Sequence, residues 1–272
     1  MATVHVTQWD RTGGTGVPAV FAHNIFTWGD DREYGFAAQR PLADHCRLAL
    51  VDRRGYGRSP DTGRSDFETD AADLVEVLQE VGAAGTGRGG AHLVGHGNGG
   101  LAAMLAAARR PDLVRSLTLI QPAAFSAAAG HPVVAAMLER VKDIPGVPET
   151  VTPMEYLRAS TEGLGIDMPE PTPQRLRAVA TSMHERPVWE ARTPVEPLRE
   201  AAWPTLVICG TWQDAPELYR TYAGEPLIAC AEAVAEAVGA QFLRVPGYYP
   251  HTQHADEVNR ALRDLWAAAD AA

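Results

Sequence analysis

Ala91-His92-Leu93-Val94-Gly95-His96-Gly97-Asn98-Gly99-Gly100-Leu101 is the stretch whose reading decides the fold. An apolar run, residues 91–94, ends on a glycine-rich turn. Residues 101–108, Leu-Ala-Ala-Met-Leu-Ala-Ala-Ala, then supply strong helix formers. Strand, sharp turn and helix, with Gly95 and Gly99 two residues before and after the apex, have the spacing of a G-x-S-x-G nucleophile elbow. The flanking positions must be small because such a turn brings strand and helix backbones close together. The apex calls for serine, cysteine or aspartate, and this chain has Gly97. No acyl-enzyme or alkyl-enzyme can form on a residue without a side chain.

On either side of the elbow, strand-like runs alternate with helical ones. Residues 4–9 alternate as a half-exposed strand, turned back by the glycines of 11–16, and 17–22 read as a buried strand. Further strands are expected over 47–51, 116–120, 205–209 and 241–245. Helical segments are expected around 39–43, over 67–78 with Gly82 just past the end, and over the amphipathic stretch 255–268. This alternation predicts an α/β fold, a mostly parallel sheet with helices on both faces. Between Gln121 and Trp203 the pattern changes: no buried strand is visible and prolines are frequent. The best helices there, 131–144, 153–162 and 173–185, each carry proline near the start. The expected organisation is a core of residues 1–121 and 203–272 with a helical lid over 122–202.

Composition bounds the function. A chain of 272 residues with 46% hydrophobic content can bury a large single core. A net charge of −10 offers no basic footprint for nucleic acid or an anionic membrane. No apolar run reaches membrane-spanning length, and the first residues lack the features of a signal peptide, so a cytoplasmic protein is expected. The three cysteines, Cys46, Cys209 and Cys230, read as buried thiols. No cluster has metal-ligand spacing and no loop has the dinucleotide-binding pattern, so no cofactor is expected.

The elbow is one of several anchors in a fixed order. His23-Asn24 follows an early strand, and Asp52-x-Arg54-Gly55-x-Gly57-x-Ser59 follows the next. Pro204-Thr205-Leu206-Val207-Ile208-x-Gly210 and Val245-Pro246-Gly247, with His251 beyond, come after the elbow. Together they make the chain resemble the α/β-hydrolase-fold superfamily over nearly its whole length apart from the lid. The resemblance implies an acid at Asp214, the alternative being a solvated loop aspartate. It implies a catalytic histidine near His251 in two registers. Read forward, His251 is the best candidate base; read backward from the final helix, the histidine position falls on Tyr248. A histidine that merely bonds backbone is the other reading of His251. Asp214 and His251 are expected within hydrogen-bond distance, since a parallel sheet gathers such loops at one edge.

The resemblance also places an oxyanion hole at the backbone N–H groups after Asn24, beginning with Ile25, and at that of Asn98. Asn24 resembles an asparagine that binds a substrate hydroxyl in one branch of plant hydroxynitrile lyases; otherwise it serves the turn. His96 is expected to pack behind the elbow, while Phe26, Trp28, Trp212, Tyr248 and Tyr249 could line a pocket. Glycine at the apex is expected to leave room for a water or substrate group. Three functions remain open, in this order. The first is a non-hydrolytic enzyme of lyase, cyclase or isomerase type acting on a carbonyl compound. The second is an esterase- or lactonase-type serine hydrolase inactivated by exchange of its elbow serine. The third is a ligand-binding pseudoenzyme. The expected partner is a small-molecule substrate, with a homodimer left open, and neither nucleic acid nor membrane.

Overall fold

The computed structural model describes residues 3–83, 90–143 and 146–271. Seven strands form one sheet in the order β1-β3-β2-β4-β5-β6-β7. They are β1 (Val6–Trp9), β2 (Val17–Ala22), β3 (Cys46–Val51), β4 (Ala91–His96), β5 (Val114–Ile120), β6 (Thr205–Gly210) and β7 (Gln241–Val245). Only β1 pairs antiparallel, on β3; the other five pairings are parallel. Parallel strands need crossovers, and helices supply most of them: α1 (Phe67–Ala83) leads into β4 and α2 (Asn98–Arg109) leads out of it.

The pleat divides each strand between two cores. Val20, Leu93, Leu117, Leu119, Val207 and Cys209 face α1, α2 and the helix Glu225–Val238. Phe21, Leu50, Val94, Ile120 and Ile208 face the opposite layer, where Val258, Leu262 and Trp266 of the helix Ala255–Ala271 pack. Strands buried on both faces cannot alternate apolar and polar residues, which is why β2, β4 and β6 read as continuous apolar runs. All three cysteines are buried and free.

Among the described residues, the segment between β5 and β6 contains helices and turns but no strand. Its helices are α3 (Pro132–Val141), α4 (Pro153–Ser160), α5 (Pro173–Met183) and the short α6 (Val195–Arg199). Proline opens α3, α4 and α5 at a position whose N–H has no intrahelical acceptor. Thr152 caps α4 in a reciprocal capping box with Glu155. Boundaries differ slightly from the sequence reading. Residue 144, the expected end of the first insertion helix, lies outside the described residues, and α1 runs through Gly82 rather than stopping before it. Residues 37–44 form a 3₁₀ helix around Pro41. No described helix is long and apolar enough to cross a membrane.

Candidate active site at the elbow

Gly97 turns the chain from β4 into α2 with φ +54° and ψ −118°. A residue with a β-carbon is strained in that region of backbone space. Close approach dictates the neighbouring glycines: a β-carbon on Gly95 would press on Gly100, and one on Gly99 would overlap the carbonyls of Ala22 and His23. The turn is held by Gly97 N–H donating to Ile120 O at 3.1 Å and by Ala123 N–H donating to Gly97 O at 3.1 Å.

The expected vacancy at the apex is filled. A β-carbon built on Gly97 would overlap Cγ and Oδ1 of Asn24 and lie 2.6 Å from its Nδ2. The same Oδ1 accepts a hydrogen bond of 3.0 Å from the Asn98 backbone N–H. The Asn24 carboxamide therefore occupies the space an elbow side chain would take and engages a donor expected to face an oxyanion. It is braced from behind by His23, whose Nδ1 donates to Asn24 O at 2.6 Å while Nε2 accepts from Arg53 N–H at 3.0 Å. Burial, reinforced by Arg53, holds His23 well below the usual histidine pKa, so it is neutral.

A cavity of about 1170 Å³ lies over the elbow, at the large end for a small-molecule site. Asn24, Ile25, His96, Gly97 and Asn98 line its floor, and Phe26, Tyr34 and Tyr249 contribute aromatic wall. Insertion residues including Met137, Tyr156, Leu164, Met183, Glu185 and Val188 complete it. Trp28, Trp212 and Tyr248, expected in the pocket, are not among its lining residues. Trp28 lies beneath the Arg175 guanidinium at 4.8 Å. Trp212 is buried, with Nε1 donating to Gln121 Oε1 at 2.8 Å. Tyr248 packs on Trp212, Tyr219 and Tyr249.

The structure does not bring Asp214 and His251 together as a pair. Asp214 is exposed on the loop after β6 and makes no hydrogen bond or ion pair among the described residues. His251 is fully buried in the short helix Pro250–Gln253, with Nε2 3.2 Å from Tyr34 O and no hydrogen-bond partner for Nδ1 among the described residues. Its ring packs on Phe36 and on His96, 5.4 and 4.3 Å away between centroids. Burial pushes its pKa down to about 4, leaving a neutral ring at pH 7. His96, between it and the cavity, is also held well below its usual value, by burial and then by His251 and His23.

Two side-chain amides explain this arrangement. Gln121, at φ +45°, accepts from Gly210 N–H and Trp212 Nε1 and donates to Tyr248 O. It ties the loops after β6 and β7 together with Trp212 turned inward. Gln253 Oε1 accepts from the N–H groups of both Tyr248 and Tyr249, folding the chain into the helix that carries His251 toward Tyr34.

Glu185, just past the end of α5, lines the cavity together with Arg64, Arg140, Arg186 and Glu190, and it bonds the elbow itself through Asn98. Its Oε1 accepts from Arg53 at 2.6 Å and from Asn98 Nδ2 at 3.2 Å, and its Oε2 accepts from Tyr56 OH at 2.5 Å. Arg53 also pairs with Asp70 at 2.6 Å and lies over the Tyr56 ring at 4.5 Å. Burial works against the Arg53 charge, yet Glu185, Tyr56 and Asp70 hold its pKa well above normal. Burial raises Asp70 to about 6 even though Arg53 opposes it. Sequence motifs could not reveal this cluster. Arg53 and Tyr56 lie inside a quoted motif, but Asp70 and Glu185 come from a plain helix and from the insertion.

The sequence profile described as "Alpha/beta hydrolase family" matches residues 17–261. A 2-(acetamidomethylene)succinate hydrolase of Mesorhizobium japonicum is 41% identical over 118 residues, covering 40% of this chain and 37% of that protein. The chain spans about a third of the length of such curated relatives in the matched stretch. Among solved structures, a thermophilic esterase from Thermogutta terrifontis aligns with a TM-score of 0.62 at 22% identity, covering 98% of this chain and 93% of that one. The enol-lactonase from Burkholderia xenovorans LB400 aligns with 0.58 at 18% identity, over 97% and 96%. At those identities the two structures share the fold.

Proposed function

The chain belongs to the alpha/beta hydrolase family, and within it we propose an esterase- or lactonase-type member that has lost covalent catalysis and retains its acyl-compound pocket beneath a helical lid. The observation that carries this reading is the Asn24 carboxamide packed against Gly97 and bonded to Asn98 N–H. An acyl-enzyme needs an elbow nucleophile, a base to activate it and open oxyanion donors. Here the apex has no side chain, the Asn98 donor is occupied, and His251 is a buried neutral ring bonded to Tyr34 O. Tyr248 takes the family's histidine position in the backward register, and Asp214 has no partner to orient. The names of relatives and structural neighbours, among them a hydrolase, an esterase and an enol-lactonase, support the ester or lactone class. His251, the base expected for the lyase or cyclase reading, is not among the cavity's lining residues.

The test uses the purified wild-type chain with a fluorophosphonate probe, a p-nitrophenyl ester panel and a lactone panel, followed by equilibrium binding. Expected are no covalent labelling, no burst and no turnover above the buffer rate, together with saturable binding of the same compounds. Stoichiometric labelling or enzymatic ester turnover would overturn the proposal.

A further inference from the structure

Two carboxamides face the cavity at the elbow, and each is oriented by a group of fixed polarity. Asn24 Oδ1 accepts from a backbone N–H, which can only donate. Asn98 Nδ2 donates to a Glu185 oxygen whose carboxylate is already held by Arg53 and Tyr56. Flipping either amide would set donor against donor or acceptor against acceptor, so the network fixes both orientations. What remains is Asn24 Nδ2, a donor, and Asn98 Oδ1, an acceptor. Among the described residues neither has a hydrogen-bond partner in the protein, and both residues line the cavity.

We propose that this leftover pair recognises a neutral carboxamide or lactam with an apolar body, a narrowing that rests on the pocket reading above. The ligand carbonyl accepts from Asn24 Nδ2 and the ligand N–H donates to Asn98 Oδ1. An ester of the same shape offers the acceptor alone and leaves Asn98 Oδ1 without a donor, which a half-buried polar site penalises. A carboxylate also lacks the donor and, at the Asn98 end of the cavity, places negative charge beside Glu185. The apolar body matches the insertion side of the cavity, where Met137, Val147, Leu164, Met183 and Val188 contribute. Glu185 acts here as a positioning residue: it touches Asn98, and Asn98 touches the ligand.

The experiment is titration calorimetry on the full chain with octanamide, methyl octanoate and octanoate. Octanamide is expected to bind at least about ten-fold tighter than methyl octanoate, the effect of one neutral hydrogen bond made rather than lost. Octanoate is expected to bind weakest. In Asn24→Ala the amide loses affinity while the ester holds or gains, because Asn98 N–H is released to donate to its carbonyl. In Asn98→Ala the difference between amide and ester shrinks. Equal affinities of the wild-type chain for octanamide and methyl octanoate would overturn the amide assignment and leave the acyl pocket standing. If none of the three probes binds, both fall. The wild-type comparison needs no variant to fold.

Discussion

Placing serine at residue 97 tests the central geometric claim, that Asn24 and an elbow side chain exclude one another. In Gly97→Ser the new β-carbon enters space held by Asn24 Cγ and Oδ1, at a backbone φ of +54°. The left-handed backbone costs about 1–2 kcal/mol for an L-residue. Expelling the Asn24 side chain breaks its bond to Asn98 N–H, worth about 1 kcal/mol, and adds repacking of similar size. The sum is roughly 3 kcal/mol. For a chain of this size that lowers Tm by roughly 6–12 °C. Removing the obstructing side chain should recover the steric part: Asn24→Gly with Gly97→Ser should be more stable than Gly97→Ser alone, a coupling measurable by a double-mutant cycle. Differential scanning calorimetry reads both. Neither variant should label quickly with fluorophosphonate, because His251, the expected proton acceptor, does not line the cavity and burial holds the neighbouring His96 well below the usual histidine range. A single variant as stable as wild type would refute the steric argument, and rapid labelling would refute the account of His251.

Other outcomes follow from the buried charges. His251 has a folded pKa of about 4 against about 6.5 in the unfolded chain, so the unfolded state binds the extra proton between those values. The His251 contribution should be fully present above pH 6.5 and fall by about 3 kcal/mol as pH drops toward 4, with His23 and His96, also lowered by burial, adding to the loss and Asp70 opposing part of it because its folded pKa is raised; His251→Phe should make the acid limb of Tm against pH less steep. Glu185→Ala leaves Arg53 with Asp70 as its one carboxylate and should cost about 3–5 kcal/mol, seen in urea unfolding, whereas a loss below about 1 kcal/mol would mean the pair carries no weight. Burial pushes Cys46, Cys209 and Cys230 each up to about 12, so a thiol reagent at pH 8 should modify none of them until denaturant is added.

The parts of this molecule that were legible in the sequence are those set by local constraint. The elbow shows because glycine is needed at residues 95 and 99, where other backbone crowds in. The central strands show because burial on both faces leaves them few polar residues, and the insertion shows because that pattern stops. The site is a different matter. Asp214 and His251 sit on loops whose direction is set by Gln121 and Gln253, through bonds that reach far along the chain or turn it locally. No period or spacing records which way such an amide pulls. Glu185 is harder still, being an unremarked residue after an insertion helix, 132 positions from the arginine that holds it.

The departures at the site are physically connected. A serine at residue 97 needs the space Asn24 fills, and with Gly97 there that space would otherwise be an empty notch beside a backbone N–H. Filling it with a carboxamide satisfies the N–H and removes the notch together. Once no serine needs a proton acceptor, nothing requires a histidine over the elbow, so Tyr248 can join the Trp212–Tyr219–Tyr249 cluster. With no imidazolium to stabilise, Asp214 can face water. On the proposed reading these four positions form one consistent state rather than a working triad with a single member missing. Replacing glycine alone therefore cannot restore ester hydrolysis. Recovery requires opening the notch at Asn24 and supplying a histidine that reaches the elbow, and a Tyr248→His substitution added to Asn24→Gly and Gly97→Ser is the smallest change that attempts both. If Gly97→Ser by itself hydrolyses p-nitrophenyl acetate as fast as that triple variant, the four positions are independent and this coupling is wrong.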